Sequence, residues 1–244
     1  MGCAPLAVIS HGAGGSENGY RFLAQDLAAR GYTAIVMGHR ESGFAALRAE
    51  ILRRGFRPGV RALVVDPVAE RARLLDVDAT LVWASAKCTP PFHVLLGHSM
   101  GAESVMLEAG VRNMIDVPSP PAGQDRFDAY VALSPEGPGI VFPEHAWSAI
   151  DKPMLTITGT RDESLQGGPE ARQIPWRELP GNRAKCQWLG VIDGATHMNL
   201  AGIGSGAKRV EDMVLRTIAS FLTGVRRSAC EIPATEEGVT LFTK

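Results

Sequence analysis

The sequence predicts an α/β fold with a mostly parallel central sheet that is covered by helices on both faces. Short apolar runs alternate with longer stretches of helical periodicity, which is the pattern of repeated strand–helix–strand units. Helical spacing is clearest in Tyr20–Arg30, Asp66–Lys87 and Lys208–Leu222, so both faces of the sheet can be covered. The runs that predict about six strands are Leu6–Ile9, Ala34–Met37, Phe92–Leu96, Ala129–Leu133, Met154–Thr158 and Gln187–Ile192.

The first helix is well defined by its residue types. Leu23, Leu27 and Ala28 lie on one face of the stretch 20–30. Gly31 stands where a glycine commonly follows the end of a helix, because glycine adopts the left-handed conformation without strain. We therefore expect a helix that ends near residue 30 and packs on the sheet.

Two segments do not fit a minimal strand–helix repeat. Residues 41–65 contain Gly55 and Pro58, and residues 118–126 are rich in proline and glycine. We expect both to be excursions at the ends of the sheet. The remainder predicts one domain over residues 1–244, whose polar tail, 226–244, is either an edge strand or a loose end.

Composition excludes several classes of partner. Hydrophobic residues make up 45% of the 244 residues, enough for one sizeable core, and the formal net charge is −1 with both signs mixed along the chain. There is no basic stripe to bind nucleic acid, and no run approaches the roughly 18 apolar residues of a spanning helix. We expect no integral membrane segment and a small neutral molecule as the partner.

The cysteines are far apart in the sequence and have no zinc-binding spacing; they are Cys3, Cys88, Cys186 and Cys230. We interpret them mainly as buried thiols and expect no metal. A disulfide between Cys186 and Cys230 would require secretion. We favour a cytoplasmic location over secretion, although a signal peptide that had been removed would leave no trace in this sequence.

A G-x-S-x-G motif carries the candidate nucleophile. Gly97, Ser99 and Gly101 follow the apolar run 94–96 and precede the helical pattern 102–109. In that context the serine occupies a tight strand-to-helix turn, where larger residues at the two glycine positions would collide with the neighbouring strand and helix. The helix N-terminus also favours a developing oxyanion. A serine that only caps a helix is the alternative interpretation of this motif.

A glycine-rich turn after the first strand predicts the oxyanion hole. The segment runs from His11 to Ser16, and the backbone N–H of Ala13, with Gly14 as second choice, would act together with the N–H of Met100. Gly12 supports the turn, and His11 is expected to shape it by hydrogen bonding. A phosphate-binding loop is disfavoured, because the segment lacks both the P-loop lysine and the G-x-G-x-x-G spacing.

Two further motifs supply the candidate acid and base. Asp162 follows the strand 154–158, and His197 follows the strand 187–192. Because parallel strands place their carboxyl ends at one edge of the sheet, both side chains can reach Ser99. The order Ser, Asp, His is also that of α/β hydrolases rather than of the two common serine-protease folds.

The sequence resembles the α/β-hydrolase superfamily, and within it the serine-containing relatives of dienelactone hydrolase, which include chlorophyllase-like and polyester-hydrolysing esterases. The resemblance rests on SHGAGGS, LLGHSMGA, GTRD and DGATH, with ARLLDVDATLVWA similar to the helix before the elbow strand. It implies a hydrolase fold without a cap domain and without a cofactor. The chain departs from it twice: dienelactone hydrolase has cysteine in place of Ser99, which disfavours lactones, and the first two strands of the full sheet have no counterpart here.

Other polar residues are weaker candidates for the site. Glu136 follows the fourth strand, where some hydrolases carry the acid, and is the alternative to Asp162. Asp193 is too close to His197 in sequence to orient it, and is interpreted as a turn residue. His98, at a variable motif position, is expected to line the pocket. Three histidines, His39, His93 and His145, are expected to be structural or to lie in a loop.

These residues predict a serine esterase that acts through an acyl-enzyme on Ser99. Other acyl chemistry at the same triad (thioesterase, lactonase, perhydrolase or acyltransferase) remains an alternative, and so does a non-catalytic binding protein on the same fold. The short connection from residue 134 to 151 predicts an open cleft, with Phe142, Trp147 and Trp176 nearby. For any single one of these aromatic residues, ordinary packing is the commoner role.

Overall fold

A seven-stranded sheet organises the chain, in a computed structural model that describes residues 2–118, 126–181, 185–233 and 237–244. The strand order is β2-β1-β3-β4-β5-β6-β7, and all neighbours are parallel except β6 and β7. The strands are β1 (Leu6–Ser10), β2 (Thr33–Val36), β3 (His93–His98), β4 (Ala129–Leu133), β5 (Met154–Arg161), β6 (Gln187–Thr196) and β7 (Val239–Thr243). The predicted parallel sheet is confirmed, with one strand more than expected.

The additional strand comes from the polar tail. β7 pairs antiparallel with β6, from Val239 opposite Ile192 to Thr243 opposite Trp188. Of the two alternatives for the tail, the edge strand is therefore correct for this part of it. β6 and β5 also run longer than their apolar cores, and their pairing shifts register between Gly159 and Arg161.

Helices flank the sheet. They are α1 (Arg21–Ala29), α2 (Phe44–Arg54), α3 (Phe56–Val64), α4 (Pro67–Lys87), α5 (Met100–Glu108), α6 (Ile174–Glu178) and α7 (Ala207–Arg227). α4 begins where its sequence predicts, because the Asp66 side chain accepts a hydrogen bond from the Val68 N–H (2.9 Å) and Pro67 occupies the first turn. Gly31, at φ 86°, follows the end of α1 as expected. No helix in these described ranges is both long and apolar enough to cross a membrane.

The two predicted excursions have different outcomes. Residues 41–65 fold largely into α2 and α3. α2 lies beside the turn after β1, because a Cβ atom at Gly14 would meet the Leu47 side chain. Most of the excursion at 118–126 lies outside the described residues. The connection 134–153, every residue of which is described, contains turns and no helix.

Successive side chains along each strand point to opposite faces of the sheet, so the core consists of two clusters, one on each face. In β1, Leu6 and Val8 point into a cluster with α4 and α5, whereas Ala7 and Ile9 point into a cluster with α1 and α7. Helices therefore cover both faces, as the periodicity predicts. Burial on both faces also explains why the strands are near-continuous apolar runs.

All four cysteines are paired, so their interpretation as buried thiols is wrong. Cys3 is bonded to Cys88, the residue that ends α4, and Cys186 is bonded to Cys230, which follows α7. The bridges span 85 and 44 residues of sequence. Loops of this length restrict the unfolded chain substantially, by about 4–5 kcal/mol each in the chain-entropy model. The bond between Cys186 and Cys230 is the alternative that the sequence left open, whereas the sequence did not indicate the bond between Cys3 and Cys88, because the fold brings these distant segments together.

Candidate active site

Ser99 lies in a strained turn between β3 and α5. Its backbone has φ 54° and ψ −124°, outside the regions that residues with side chains normally occupy. A Cβ atom on Gly97 would lie 2.0 Å from the carbonyl oxygen of Gly101, and one on Gly101 would lie 2.1 Å from that of Ser10. The motif therefore requires glycine at both positions, because β3 and β1 approach α5 so closely.

Ser99, His197 and Asp162 form a continuous chain of contacts. Ser99 Oγ lies 3.1 Å from His197 Nε2, and His197 Nδ1 lies 3.1 Å from Asp162 Oδ1. Ser99 follows β3, Asp162 follows β5 and His197 follows β6, so the carboxyl edge of the parallel sheet brings them together. This is the arrangement of a nucleophile, a base and an orienting acid.

The Asp162 carboxylate is fully buried and held from several sides. Oδ1 accepts a hydrogen bond from Ser134 Oγ (2.8 Å), and Oδ2 accepts one from Thr158 Oγ1 (2.8 Å). Burial alone would raise the pKa of Asp162, but the hydrogen bond from His197 and the charge of Arg172 outweigh it and hold the pKa at about 2. Asp162 is therefore ionised throughout the neutral range.

Ser134 bridges the acid and the base. Its Oγ lies 2.7 Å from His197 Nδ1, closer than the direct distance from Nδ1 to Asp162, and it donates its own proton to Asp162 Oδ1. The His197 Nδ1–H can thus be shared between the Ser134 hydroxyl and the carboxylate. Ser134 has φ 56° at the end of β4, and sequence reasoning did not select it. The available signal was a polar residue directly after a buried strand at the same edge of the sheet.

A buried arginine supports this group from behind. Arg172 donates to the carbonyl oxygens of Ser134 (2.9 Å) and Glu163 (2.8 Å), and its Nε lies 3.3 Å from Asp162 Oδ1. Arg172 Nε makes no hydrogen bond within the described ranges. Its interaction with Asp162 is therefore an attraction between charges and not a hydrogen bond. Arg172 was also missed, because a lone arginine in a connecting segment carries no sequence signal.

Glu136, the alternative acid, pairs with Arg172 instead of His197. Glu136 Oε1 lies 2.7 Å from Arg172 Nη1, and its carboxylate accepts the Leu165 N–H at 3.2 Å. Behind it, Glu103 accepts the N–H of Glu136 (3.2 Å). Burial, followed by the charge of Glu136, raises the pKa of Glu103 well above its ordinary value. Glu136 therefore neutralises the arginine, while Asp162 faces the base.

The glycine-rich turn lies beside Ser99 with most of its amides already engaged. Gly12 N–H donates to Tyr20 Oη (3.2 Å), Gly14 N–H to the carbonyl of Ser42 (2.8 Å) and Gly15 N–H to that of Gly12 (3.0 Å). Within the described part of the chain, the amides of Ala13 and Met100 make no hydrogen bond. The engaged amide of Gly14 weighs against it as a donor to substrate.

A chain of hydrogen bonds joins this turn to the loop of the base. Tyr20 Oη accepts from Gly12 N–H and contacts His98 Nδ1 at 2.8 Å, while His98 Nε2 lies 3.1 Å from the carbonyl of His197. Both contacts are satisfied when Nδ1 accepts and Nε2–H donates. Burial, and secondarily the nearby His197, lowers the pKa of His98 well below its ordinary value, which keeps that tautomer neutral.

A second buried network holds the start of the turn. Arg73, from α4, donates to the carbonyl of His11 (2.7 Å) and to Ser10 Oγ (3.1 Å). His11 Nδ1 lies 2.7 Å from the carbonyl of Gly12, and burial, assisted by the charge of Arg73, lowers the His11 pKa to about 3. His39 contacts Ser10 Oγ (2.9 Å) and Asp76 (2.7 Å), a second Ser–His–Asp arrangement whose serine is wholly buried.

The cleft above Ser99 lies on a different side from the one expected. It encloses about 540 Å³ and is lined by nine residues between Gly12 and Phe22, by His98, Ser99 and His197, by Met198 and residues 201–203, and by Glu211. Phe142 and Trp147 are completely buried and pack edge to face at 5.2 Å, so the commoner role, ordinary packing, is confirmed for both, and neither lines the cleft. Trp176 packs on Phe242, its ring N–H bonded to the carbonyl of Gln187.

The remaining polar candidates lie away from Ser99. Asp193 belongs to β6 rather than to a turn, and its carboxylate accepts from Thr160 Oγ1 at 3.3 Å. His93 lies 3.7 Å from Asp128, and the exposed His145 lies 3.9 Å from Glu178. Considering described residues alone, no group of three or more His, Cys, Asp or Glu side chains is arranged to hold a metal ion.

No model of a known protein family matches the chain, and no curated protein sequence matches it.

Proposed function

We propose that the protein is a serine hydrolase of the α/β-hydrolase superfamily that cleaves carboxylic esters through an acyl-enzyme on Ser99. The observation that carries the proposal is the contact chain from Ser99 Oγ through His197 to the buried, ionised Asp162, with each contact at 3.1 Å. The strained backbone of Ser99 supports it, because such strain is concentrated at functional sites.

In this proposal His197 Nε2 takes the proton of Ser99 as Oγ attacks the ester carbonyl. Asp162, together with Ser134, fixes the tautomer with the proton on Nδ1 and stabilises the imidazolium that forms. The amides of Ala13 and Met100 are proposed to bind the oxyanion, because both are free within the described residues and Met100 is the first residue of α5. His197 then returns its proton to the departing alcohol, and water releases the acid by the same route. The proposed chemistry uses no cofactor.

Several features support an open site on a hydrolase fold. Ser99, Asp162 and His197 follow β3, β5 and β6 at the carboxyl edge of the parallel sheet, which supports a hydrolase site there. The connection between β4 and β5 contains turns and no helix, which supports a site without a cap. The two disulfides favour an oxidising compartment, and so secretion over a cytoplasmic location.

The test is covalent labelling together with a substrate panel. We expect a fluorophosphonate to modify Ser99 in the wild-type protein, and Ser99→Ala to abolish both labelling and hydrolysis of p-nitrophenyl esters. Without the nucleophile, the remaining site supplies only a rate enhancement of ~10³–10⁴ over the reaction in water, so residual activity should be near background.

The outcomes separate the alternatives. A folded wild-type protein that stays unlabelled would favour a non-catalytic binding protein. A labelled protein that prefers thioesters, lactones or acyl transfer would keep the triad and change the reaction. Ser99→Ala with the wild-type rate would require a different nucleophile.

A further inference from the structure

The cleft at Ser99 has one apolar side, formed by the residues that follow the base. Met198 and Ile203 line it and are half exposed, at 48% and 53%. Phe22 lines the same cleft from the start of α1, and it lies next to Gly202. These side chains offer apolar contact to a bound molecule, and the charged side chains of Arg21 and Glu211 line the same cleft.

This apolar side is held rigidly. Asn199, itself buried, accepts the Thr196 N–H (3.2 Å) and donates through its side-chain amide to the carbonyls of Ile203 and Ser205, both at 3.1 Å. The Ile203 N–H in turn donates to the carbonyl of Met198 (2.9 Å). Met198 and Ile203 therefore project from a preformed loop, which lowers the cost of ordering them around a ligand.

The proton path decides which part of an ester lies there. In the first step Ser99 Oγ bonds to the carbonyl carbon, the carbonyl electron pair moves to its oxygen, and the serine proton goes to His197 Nε2. In the second step the carbonyl re-forms, the bond from carbon to the alcohol oxygen breaks, and Nε2–H gives its proton to that oxygen. The alcohol oxygen must then lie within hydrogen-bond reach of Nε2, on the side of His197.

We propose that the cleft formed by Met198, Ile203 and Phe22 binds the alcohol part of the ester, and that the substrates are esters of apolar alcohols. The inference rests on the proposed function, since it uses the position of the proton donor. It assigns Met198 and Ile203 as specificity-determining residues that touch the leaving group.

Two ester series test the proposal. The first is the acetates of primary alcohols from methanol to hexanol, and the second is the methyl esters of acids from acetic to hexanoic. We expect kcat/KM of the wild-type protein to rise about twofold to fourfold for each methylene added to the alcohol, until the cleft is filled. Met198→Ser and Ile203→Ser should each flatten that rise and leave the slope of the acyl series unchanged.

Leu52→Ser is the matched control. Leu52 is 76% exposed on α2 and does not line the cleft, so this variant should reproduce both wild-type slopes. Because Met198 and Ile203 are half exposed, Met198→Ser and Ile203→Ser should both fold, and near-ultraviolet circular dichroism checks this. If a serine variant does not fold, Ile203→Ala provides the milder substitution.

Different results would contradict this inference and the proposed function. Variants that flatten the acyl series instead, or that change neither slope, would overturn the inference. The inference would also be overturned if the wild-type protein is labelled at Ser99 but its kcat/KM does not rise along the alcohol series. A wild-type protein that is neither labelled nor active would overturn the proposed function itself.

Discussion

At the scale of single residues, the proposed acid, Asp162, and the proposed base, His197, are linked by more than their direct contact. Ser134 Oγ is 2.7 Å from His197 Nδ1 and 2.8 Å from Asp162 Oδ1, so one hydroxyl can accept from the imidazole and donate to the carboxylate. Thr158 contacts only the other carboxylate oxygen and does not contact His197. The two hydroxyl groups therefore provide a comparison between orienting the base and only holding the acid.

We predict that Ser134→Ala lowers kcat about 10- to 100-fold, which corresponds to the roughly 1.5–3 kcal/mol of a hydrogen bond to a charged group. Asp162→Asn should lower kcat by ~10⁴, as a mis-set tautomer does in a comparable triad. Because both residues act on His197 Nδ1, the double variant should be little slower than Asp162→Asn alone. Steady-state kinetics of the four proteins gives this coupling.

Two controls accompany that cycle. Thr158→Val removes a hydrogen bond from the same carboxylate without affecting a contact to His197. The coupling in kcat between Thr158→Val and Asp162→Asn should therefore differ from the coupling between Ser134→Ala and Asp162→Asn. Glu136→Gln should be far milder than Asp162→Asn, because Glu136 pairs with Arg172. Strictly additive losses for Ser134→Ala and Asp162→Asn would contradict the bridging role, and a larger loss in Glu136→Gln would transfer the acid role to Glu136.

The residues of the candidate site differ in how far the sequence could predict them. Ser99, Asp162 and His197 follow three strands whose apolar runs are readable, and their order matches a known chemistry. Ser134 and Arg172 act through contacts that exist only after residues far apart in sequence have met. For Phe142 and Trp147 the commoner of the two predicted roles, packing in the core, is the correct one, because large hydrophobic side chains more often fill a core than a cleft.

At the scale of elements, burial explains which ones were predictable. β1 and β3 to β5 are buried for most of their length and read as continuous apolar runs. α2 has no buried residue, so its sequence lacks the apolar stripe that identifies a helix. β7 is an edge strand, and the burial of its residues alternates. Because the residues before it are polar, the sequence did not distinguish this strand from a loose end.

We predict that Gly101→Ala separates β1 from α5 and disables the site. Its Cβ would lie 2.1 Å from the carbonyl oxygen of Ser10, so one element must move, at a cost of about 1–3 kcal/mol. Because Ala13 follows β1 and Met100 begins α5, the movement would also spread the proposed oxyanion donors. Thermal unfolding should show a Tm several degrees lower, and ester hydrolysis should fall by at least tenfold.

Gly190→Ala is the control for that substitution. A Cβ at this position in β6 meets nothing closer than Thr217 Cγ2 at 3.4 Å, an ordinary contact. Its Tm and activity should stay near those of the wild-type protein. A Gly101→Ala variant equal to Gly190→Ala in both measurements would contradict the close approach of β1 and α5.

At the scale of the whole molecule, buried carboxyls with opposite pKa shifts set how stability depends on pH. Asp162, whose pKa is lowered to about 2, contributes stability above its ordinary pKa that is lost as the pH falls towards 2. Glu70 and Glu103 are completely buried, and burial raises both pKa values, that of Glu70 to about 8. Their neutral forms favour the folded state, so their contribution is complete below about pH 4.5 and declines as the pH rises.

We predict that the free energy of unfolding decreases as the pH rises above about 6.5, the ordinary pKa of histidine, because below that pH the lowered pKa values of His11 and His98 act in the opposite direction. Glu70→Gln should make the change with pH less negative by up to about 1.4 kcal/mol per pH unit between pH 5 and pH 8. Neither carboxylate oxygen of Glu70 makes a hydrogen bond within the described part of the chain, so its ionised form is compensated chiefly by the charge of Arg73 and to a smaller extent by the nearby Ser104 hydroxyl. Urea unfolding at pH 5, 6, 7 and 8 measures the slope. Glu144→Gln, at an exposed position, should follow the wild-type slope. If Glu70→Gln and the wild-type protein decline in parallel, Glu70 is ionised in the folded state and the raised pKa is wrong.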